Sequence, residues 1–140
     1  MANIVELREM SSEKIEEMLE DAREEMFNLR FRKATAQLED VVALRHVRRE
    51  IAQLETVLNM RWLAQETAAE HPEVAAALAD KEWEADASFD YEASAWVVTF
   101  RDGDNELATA TVDLNRKQAK GRKARVANKQ PQLIKSYKIG

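Results

Sequence analysis

The sequence predicts a mainly α fold. An antiparallel two-helix hairpin occupies residues 1–65, an acidic α+β extension 66–114 and a basic tail 115–140. Three observations lead there. Apolar residues recur at spacings of three and four through much of residues 12–69, as amphipathic helices require. The period then changes to two around Phe89-Asp90-Tyr91-Glu92-Ala93, as strands require. Charge is also segregated: residues 1–61 hold 10 basic and 13 acidic side chains, 62–114 hold 2 and 13, and 115–140 hold 9 and none.

Asn3 to Met10 reads as a lead-in of about one helical turn. Ser11 and Ser12 offer an N-cap, because a serine oxygen accepts from an unpaired first-turn amide. The first long helix runs to about Ala34, with Ile15, Met18, Leu19, Ala22, Met26 and Leu29 as its apolar stripe. Glu13, Glu16, Glu17, Glu20 and Glu24 cover much of its other side. Its end turns basic at Arg30, Arg32 and Lys33. On local chemistry alone these three complement the negative end of the helix dipole, a modest effect.

Ala34 to Asp40 is the expected turn, and Asp40 the cap of the second long helix. That helix starts near Val41 and extends to about Ala69. Leu44, Val47, Ile51, Leu54 and Leu58 form its apolar stripe. Arg45, Arg48 and Arg49 form a basic stripe beside it, so one flank can face protein and the next a polyanion. A two-helix hairpin has a thin core and gains stability from whatever it docks on.

His71-Pro72 interrupts the helical pattern, since the residue before proline is pushed out of the α region. A third helix is expected from Pro72 to about Trp83. A three-stranded antiparallel meander follows, packed on it. Its strands lie around Phe89–Ala93, Ala95–Phe100 and Leu107–Val112, with a turn at Asp102-Gly103-Asp104-Asn105. Trp83, Phe89, Trp96 and Leu114 are its expected core. Arg116, Lys117, Lys120, Arg122, Lys123, Arg125 and Lys129 make the early tail basic and nearly devoid of apolar residues, so it should not fold by itself. Leu133–Ile139 is suited to a short strand or to docking in a groove.

Composition narrows the function classes. With 140 residues, 3 Gly, 2 Pro and 34% charged residues, a helix-rich soluble protein is expected. The absence of cysteine removes disulfides and thiolate zinc sites. No apolar run approaches the roughly 18 residues that span a bilayer. The N-terminus lacks the basic-then-apolar order of a signal peptide, so a cytoplasmic location is expected.

Catalytic and metal chemistry find little support. His46 and Glu50 lie one turn apart, but two ligands make a poor metal site. The Asp102–Glu106 run begins like a calcium loop, yet Leu107 stands where glycine is needed and Asp113 where the bidentate glutamate should be. No glycine-rich phosphate loop or activated nucleophile appears. Neither catalytic residues, cofactor nor metal are expected. Aromatic residues in the strands favour core packing over base stacking, because Asp86, Asp90 and Glu92 lie among them.

Several pieces carry a family resemblance: Glu6-Leu7-Arg8, Ser11 with its following pattern, Phe27-Asn28-Leu29-Arg30-Phe31, Gln37-Leu38-Glu39, and Val47-Arg48-Arg49-Glu50-Ile51-Ala52 with Leu54. In this order and spacing, residues 1–61 resemble a small two-helix family of the large ribosomal subunit, the twenty-ninth in the bacterial numbering. The resemblance implies an antiparallel hairpin that binds large-subunit rRNA near the nascent-chain tunnel exit, structurally and without catalysis. It implies a ribosome-bound place in the cytoplasm, neighbouring ribosomal proteins as partners, and an effect on docking of chaperones or targeting factors. By analogy, Arg30, Arg32, Lys33, Arg45, Arg48 and Arg49 are the rRNA contacts, with Gln37 a polar contact at the joint. The family usually has glycine where Ala36 stands, and Asp40-Val41 replaces a small polar pair.

Residues 62–140 lie outside the resemblance. An acidic middle is repelled by rRNA, so it is expected to face solvent or protein. The seven early tail cations, Arg116 to Lys129, are expected to return to rRNA. The rival reading is a hairpin adaptor that binds proteins away from the ribosome; the arginine cluster and the basic tail argue against it.

Overall fold

The computed structural model describes residues 3–115 and 133–140. Its elements are α1 (Ile4–Glu9), α2 (Ser12–Ala34), α3 (Val42–Glu70), α4 (Pro72–Leu78), β1 (Glu84–Asp90), β2 (Ala95–Asp102), β3 (Asn105–Val112) and β4 (Ile134–Ile139). They form two compact units, Met1–Asn59 and Met60–Gly140, and α3 runs through the division.

In the first unit, Ser11 caps α2 by accepting from the Lys14 amide at 3.3 Å. Ile15, Leu19, Ala22, Met26 and Leu29 are buried at alternating spacings of four and three. Met26 and Leu29 form a buried cluster with Val47, and Leu38, Ala43, Leu44 and Ile51 pack against it. Arg23 Nη2 reaches Glu55 Oε1 at 2.7 Å. Residue numbers fall on α3 as they rise on α2, so the hairpin is antiparallel, as expected. The most buried stripe on α3 passes through Val47, Leu54 and Val57, while Leu58 is only half-buried. The expected stripe is thus displaced by one residue at its end.

The joint is a helix-ending motif of defined geometry. The Gln37 amide donates to Arg32 O at 2.8 Å and the Ala36 amide to Lys33 O at 3.2 Å. Ala36 takes φ 57, the left-handed conformation that glycine adopts without strain. Asp40 Oδ1 accepts from the Val42 amide at 2.9 Å and so caps α3.

The second unit differs from expectation in two ways. Helix α4 stops at Leu78 rather than near Trp83. Ala79 is extended and Asp80 turns to φ 62, which reverses the chain into the sheet. The sheet has four antiparallel strands in the order β1-β2-β3-β4, not three. Val112 is registered with Ile134, and the Asp113 amide donates to Leu133 O at 2.7 Å. Ile134–Ile139 is therefore a strand of the sheet, the first of the two readings of Leu133–Ile139.

Register explains the core. Trp96, Val98 and Phe100 share a face with Ala87 of β1 and with Val112, Ala110 and Ala108 of β3. All seven are buried. Val74 and Leu78 of α4 are buried too, and α4 packs on β3 and β4. Of the expected core residues only Trp96 is buried. Phe89 and Leu114 are half-buried, and Trp83 is 43% exposed because it precedes the first strand. At the hairpin turn, Asp102 pairs with Asn105 and Gly103 takes φ 60. A positive φ is what a two-residue hairpin loop with glycine first requires.

Candidate nucleic-acid interface

Arg30, Arg32, Lys33, Gln37, Arg45, Arg48 and Arg49 are all exposed, and the two helices of the hairpin sort them into groups. Lys33 from α2 and Arg45, Arg48 and Arg49 from α3 line one groove of about 520 Å³. Val41, Leu44 and Ala52 complete its wall. Arg30 lies on a second groove of about 480 Å³ with Arg23, Met26, Phe27, Arg48, Ile51, Ala52 and Glu55. Arg48 and Ala52 line both, so the two grooves adjoin along α3.

Arg32 does not join them. It lines a groove on another side of α2, among Asp21, Glu24, Glu25, Asn28 and Leu29. Successive helical residues lie about 100° apart, so Arg32 and Lys33 face different surroundings. The carboxylates near Arg32 weaken its appeal to a polyanion. Gln37 sits in the joint, with its amide used in closing the turn. Arg116, Lys117, Lys120, Arg122, Lys123, Arg125 and Lys129 lie outside the described residues.

Pairing separates free cations from neutralised ones. Arg23 is tied to Glu55, Lys14 to Glu17, and Lys135 to Asp113. Among the described residues, Arg30, Lys33, Arg45, Arg48 and Arg49 enter no intramolecular ion pair. An arginine fork matches phosphate oxygens with two parallel hydrogen bonds. Five cations without an ion-pair partner, around adjoining grooves, can therefore hold a polyanion.

The sequence pattern did not bring out the apolar rim. Phe27 is 69% exposed, Phe31 61% and Val41 58%. Phe27 borders the groove of Arg30 and Arg48, and Val41 that of Arg45 and Arg49. The closeness of Phe27, Arg30 and Phe31 at helical spacing was the available signal. Exposed rings beside guanidinium groups can stack an unpaired base.

No group of three or more His, Asp or Glu side chains suited to a metal occurs among the described residues. His46 is exposed. His71 begins α4, and its ring lies 4.7 Å from that of Tyr137. Among the described residues, no helix is long and apolar enough to cross a membrane.

Comparison with known proteins finds matches to the hairpin residues. A family described as "Ribosomal L29 protein" matches residues 5–61. The chain is similar to the large ribosomal subunit protein uL29 of Rubrobacter xylanophilus, 55% identical over 46 residues that cover 33% of this chain and 69% of the relative. It is 46% identical to uL29 of Natranaerobius thermophilus over 33% of this chain and 71% of the relative. For uL29 of Staphylococcus aureus the identity is 46%, over 33% and 67%. No solved structure matches the chain significantly.

Proposed function

Because the chain belongs to the ribosomal L29 protein family, we propose that Lys33, Arg45, Arg48 and Arg49 seat its hairpin on large-subunit rRNA near the nascent-chain tunnel exit. The protein is a structural constituent of the large ribosomal subunit, ribosome-bound in the bacterial cytoplasm. One observation carries the seating: these four cations line a single groove and have no carboxylate partner among the described residues. Arg30 extends the site along Arg48, Gln37 adds a polar contact at the joint, and Arg32 is a peripheral contact. Phosphate contacts of this kind set position and orientation and read few base edges. Phe27 adds a stacking surface at the rim. The role is structural, with no catalytic step.

The extension works differently. Its acidic strands face solvent or a neighbouring ribosomal protein, because rRNA repels carboxylates. Arg116, Lys117, Lys120, Arg122, Lys123, Arg125 and Lys129 supply a second rRNA anchor, a reading that rests on their charge alone. From the tunnel exit the protein also affects the docking of chaperones or targeting factors.

Sedimentation tests the seating. The full chain should co-migrate with the large subunit on a sucrose gradient. Arg48→Glu combined with Arg49→Glu should deplete it from that peak while its helical circular dichroism is retained. Unchanged incorporation would remove these arginines from the site.

A further inference from the structure

β1 is an edge of the sheet, and its surroundings select what can join it. Among the described residues, the order β1-β2-β3-β4 leaves one side of Glu84–Asp90 without a strand. A bare edge offers backbone donors and acceptors to any extended chain. Ala85 O takes a long hydrogen bond from Gln65 Nε2 at 3.4 Å, a weak bond that a partner's amide can replace. Residues 82–92 carry Glu82, Glu84, Asp86, Asp90 and Glu92 and no cation. An exposed aromatic ring stands near each end. Trp83 is 43% exposed and packs edge-to-face on Phe100 at 5.2 Å. Tyr91 is 47% exposed and packs on Phe89 at 4.8 Å. Rings held in this way present surfaces to guanidinium or ammonium groups, and Glu84, Asp86 and Asp90, on the opposite face of the strand, pair with cations there.

We propose that the β1 edge docks an extended Arg/Lys-rich segment of a protein partner as a fifth antiparallel or parallel strand. Backbone pairing supplies the attachment, and the alternating carboxylates with the flanking rings select the basic side chains. Seven residues at about 3.3 Å each give an edge of roughly 23 Å, room for a six- or seven-residue segment. Other occupants fit less well. Nucleic acid meets five carboxylates. A second copy joined β1 to β1 sets acid against acid. Joined β1 to β4, it offers only Lys135 and Lys138, and Lys135 is engaged by Asp113 at 3.9 Å and by Ala93 O at 3.0 Å. The proposal concerns residues outside the family match, so it stands or falls apart from the rRNA seating.

The probe is a labelled eight-residue peptide alternating arginine with threonine, titrated into the full isolated chain. Fluorescence anisotropy reads affinity, and amide chemical shifts read location. Binding should perturb the amides of residues 84–90 and weaken roughly tenfold with Asp86→Lys, a surface change that reverses one rim charge. The same peptide N-methylated at every residue keeps its charge but loses its backbone donors, and it should not bind. This control uses the unaltered protein, so it decides the matter even if Asp86→Lys disturbs folding. Equal binding of the N-methylated peptide, or shifts confined to residues 3–59, would overturn the proposal. So would a short oligouridine that by itself shifts the amides of residues 84–90, or a concentration-dependent dimer that Asp86→Lys abolishes.

Discussion

Arg23 of α2 and Glu55 of α3 clasp each other across the hairpin at 2.7 Å, while Arg48, on the same groove, enters no ion pair among the described residues. Arg23 and Glu55 are both more than half exposed, so water and salt screen their attraction. The clasp orients the helices more than it stabilises them. A double-mutant cycle with Arg23→Ala and Glu55→Ala should return a coupling of about 0.2–1 kcal/mol that shrinks in high salt. Urea denaturation at two salt concentrations measures it.

Arg48 has the opposite character, since its charge awaits an external partner. Arg48→Ala and Arg49→Ala together should lower the slope of log affinity against log salt by roughly two, about one for each phosphate no longer neutralised. Arg32→Ala should change that slope least, because Arg32 lies among Asp21, Glu24 and Glu25. Filter binding to large-subunit rRNA over a salt series distinguishes them.

Ala36 stands at φ 57, where a β-carbon costs about 1–2 kcal/mol. Ala36→Gly removes that cost and gives back up to about 1 kcal/mol through greater freedom of the unfolded chain. A net gain of up to about 1 kcal/mol is expected. Ala36→Val, with a branched side chain, should lose more than about 1 kcal/mol. Thermal denaturation followed by helical circular dichroism orders the three proteins.

The Tyr137 hydroxyl donates to a Glu73 carboxylate oxygen and ties β4 to α4. That hydrogen bond, with desolvation and the carboxylate charge, holds the Tyr137 pKa above the ordinary 10.0. The folded state thus keeps the proton more tightly than the unfolded state. The stabilisation is fully present below the unfolded pKa and disappears as pH rises through the raised folded value. A difference titration of tyrosinate absorbance, wild type minus Tyr137→Phe, should show a transition above pH 10. A transition at or below pH 10 would count against the pairing in solution.

Phe100 is fully buried at the centre of the sheet's inner face, flanked by Ala85 and Ala108. Its small neighbours cannot refill the space, so Phe100→Ala should cost about 3–5 kcal/mol. Urea unfolding followed by far-UV circular dichroism measures the loss.

The hairpin and the sheet were legible to different degrees. Ser11, the 15-19-22-26-29 stripe and Asp40 are local signals, and each appears where the residues indicate. The β2–β3 turn was legible through Gly103. For α4 the local pattern overshoots: its alanines favour helix, yet Ala79 is extended and Asp80 turns to φ 62. Size alone marks Trp83 and Leu114 as core. Strand register decides burial, and both lie outside the strands.

By itself the sequence determined the helical hairpin, its buried stripe and the basic character of one flank, because helical periodicity and capping are set within a few residues. Tertiary structure alone decided two things. It sorted the cations, gathering Lys33, Arg45, Arg48 and Arg49 and leaving Arg32 among carboxylates, because a groove depends on where the second helix lies. It also chose strand over groove for Leu133–Ile139, and joined Ile134–Ile139 to β3 at the register of Val112 with Ile134. Such pairing links residues far apart in the chain, and its hydrogen bonds leave no mark on the local pattern of either strand.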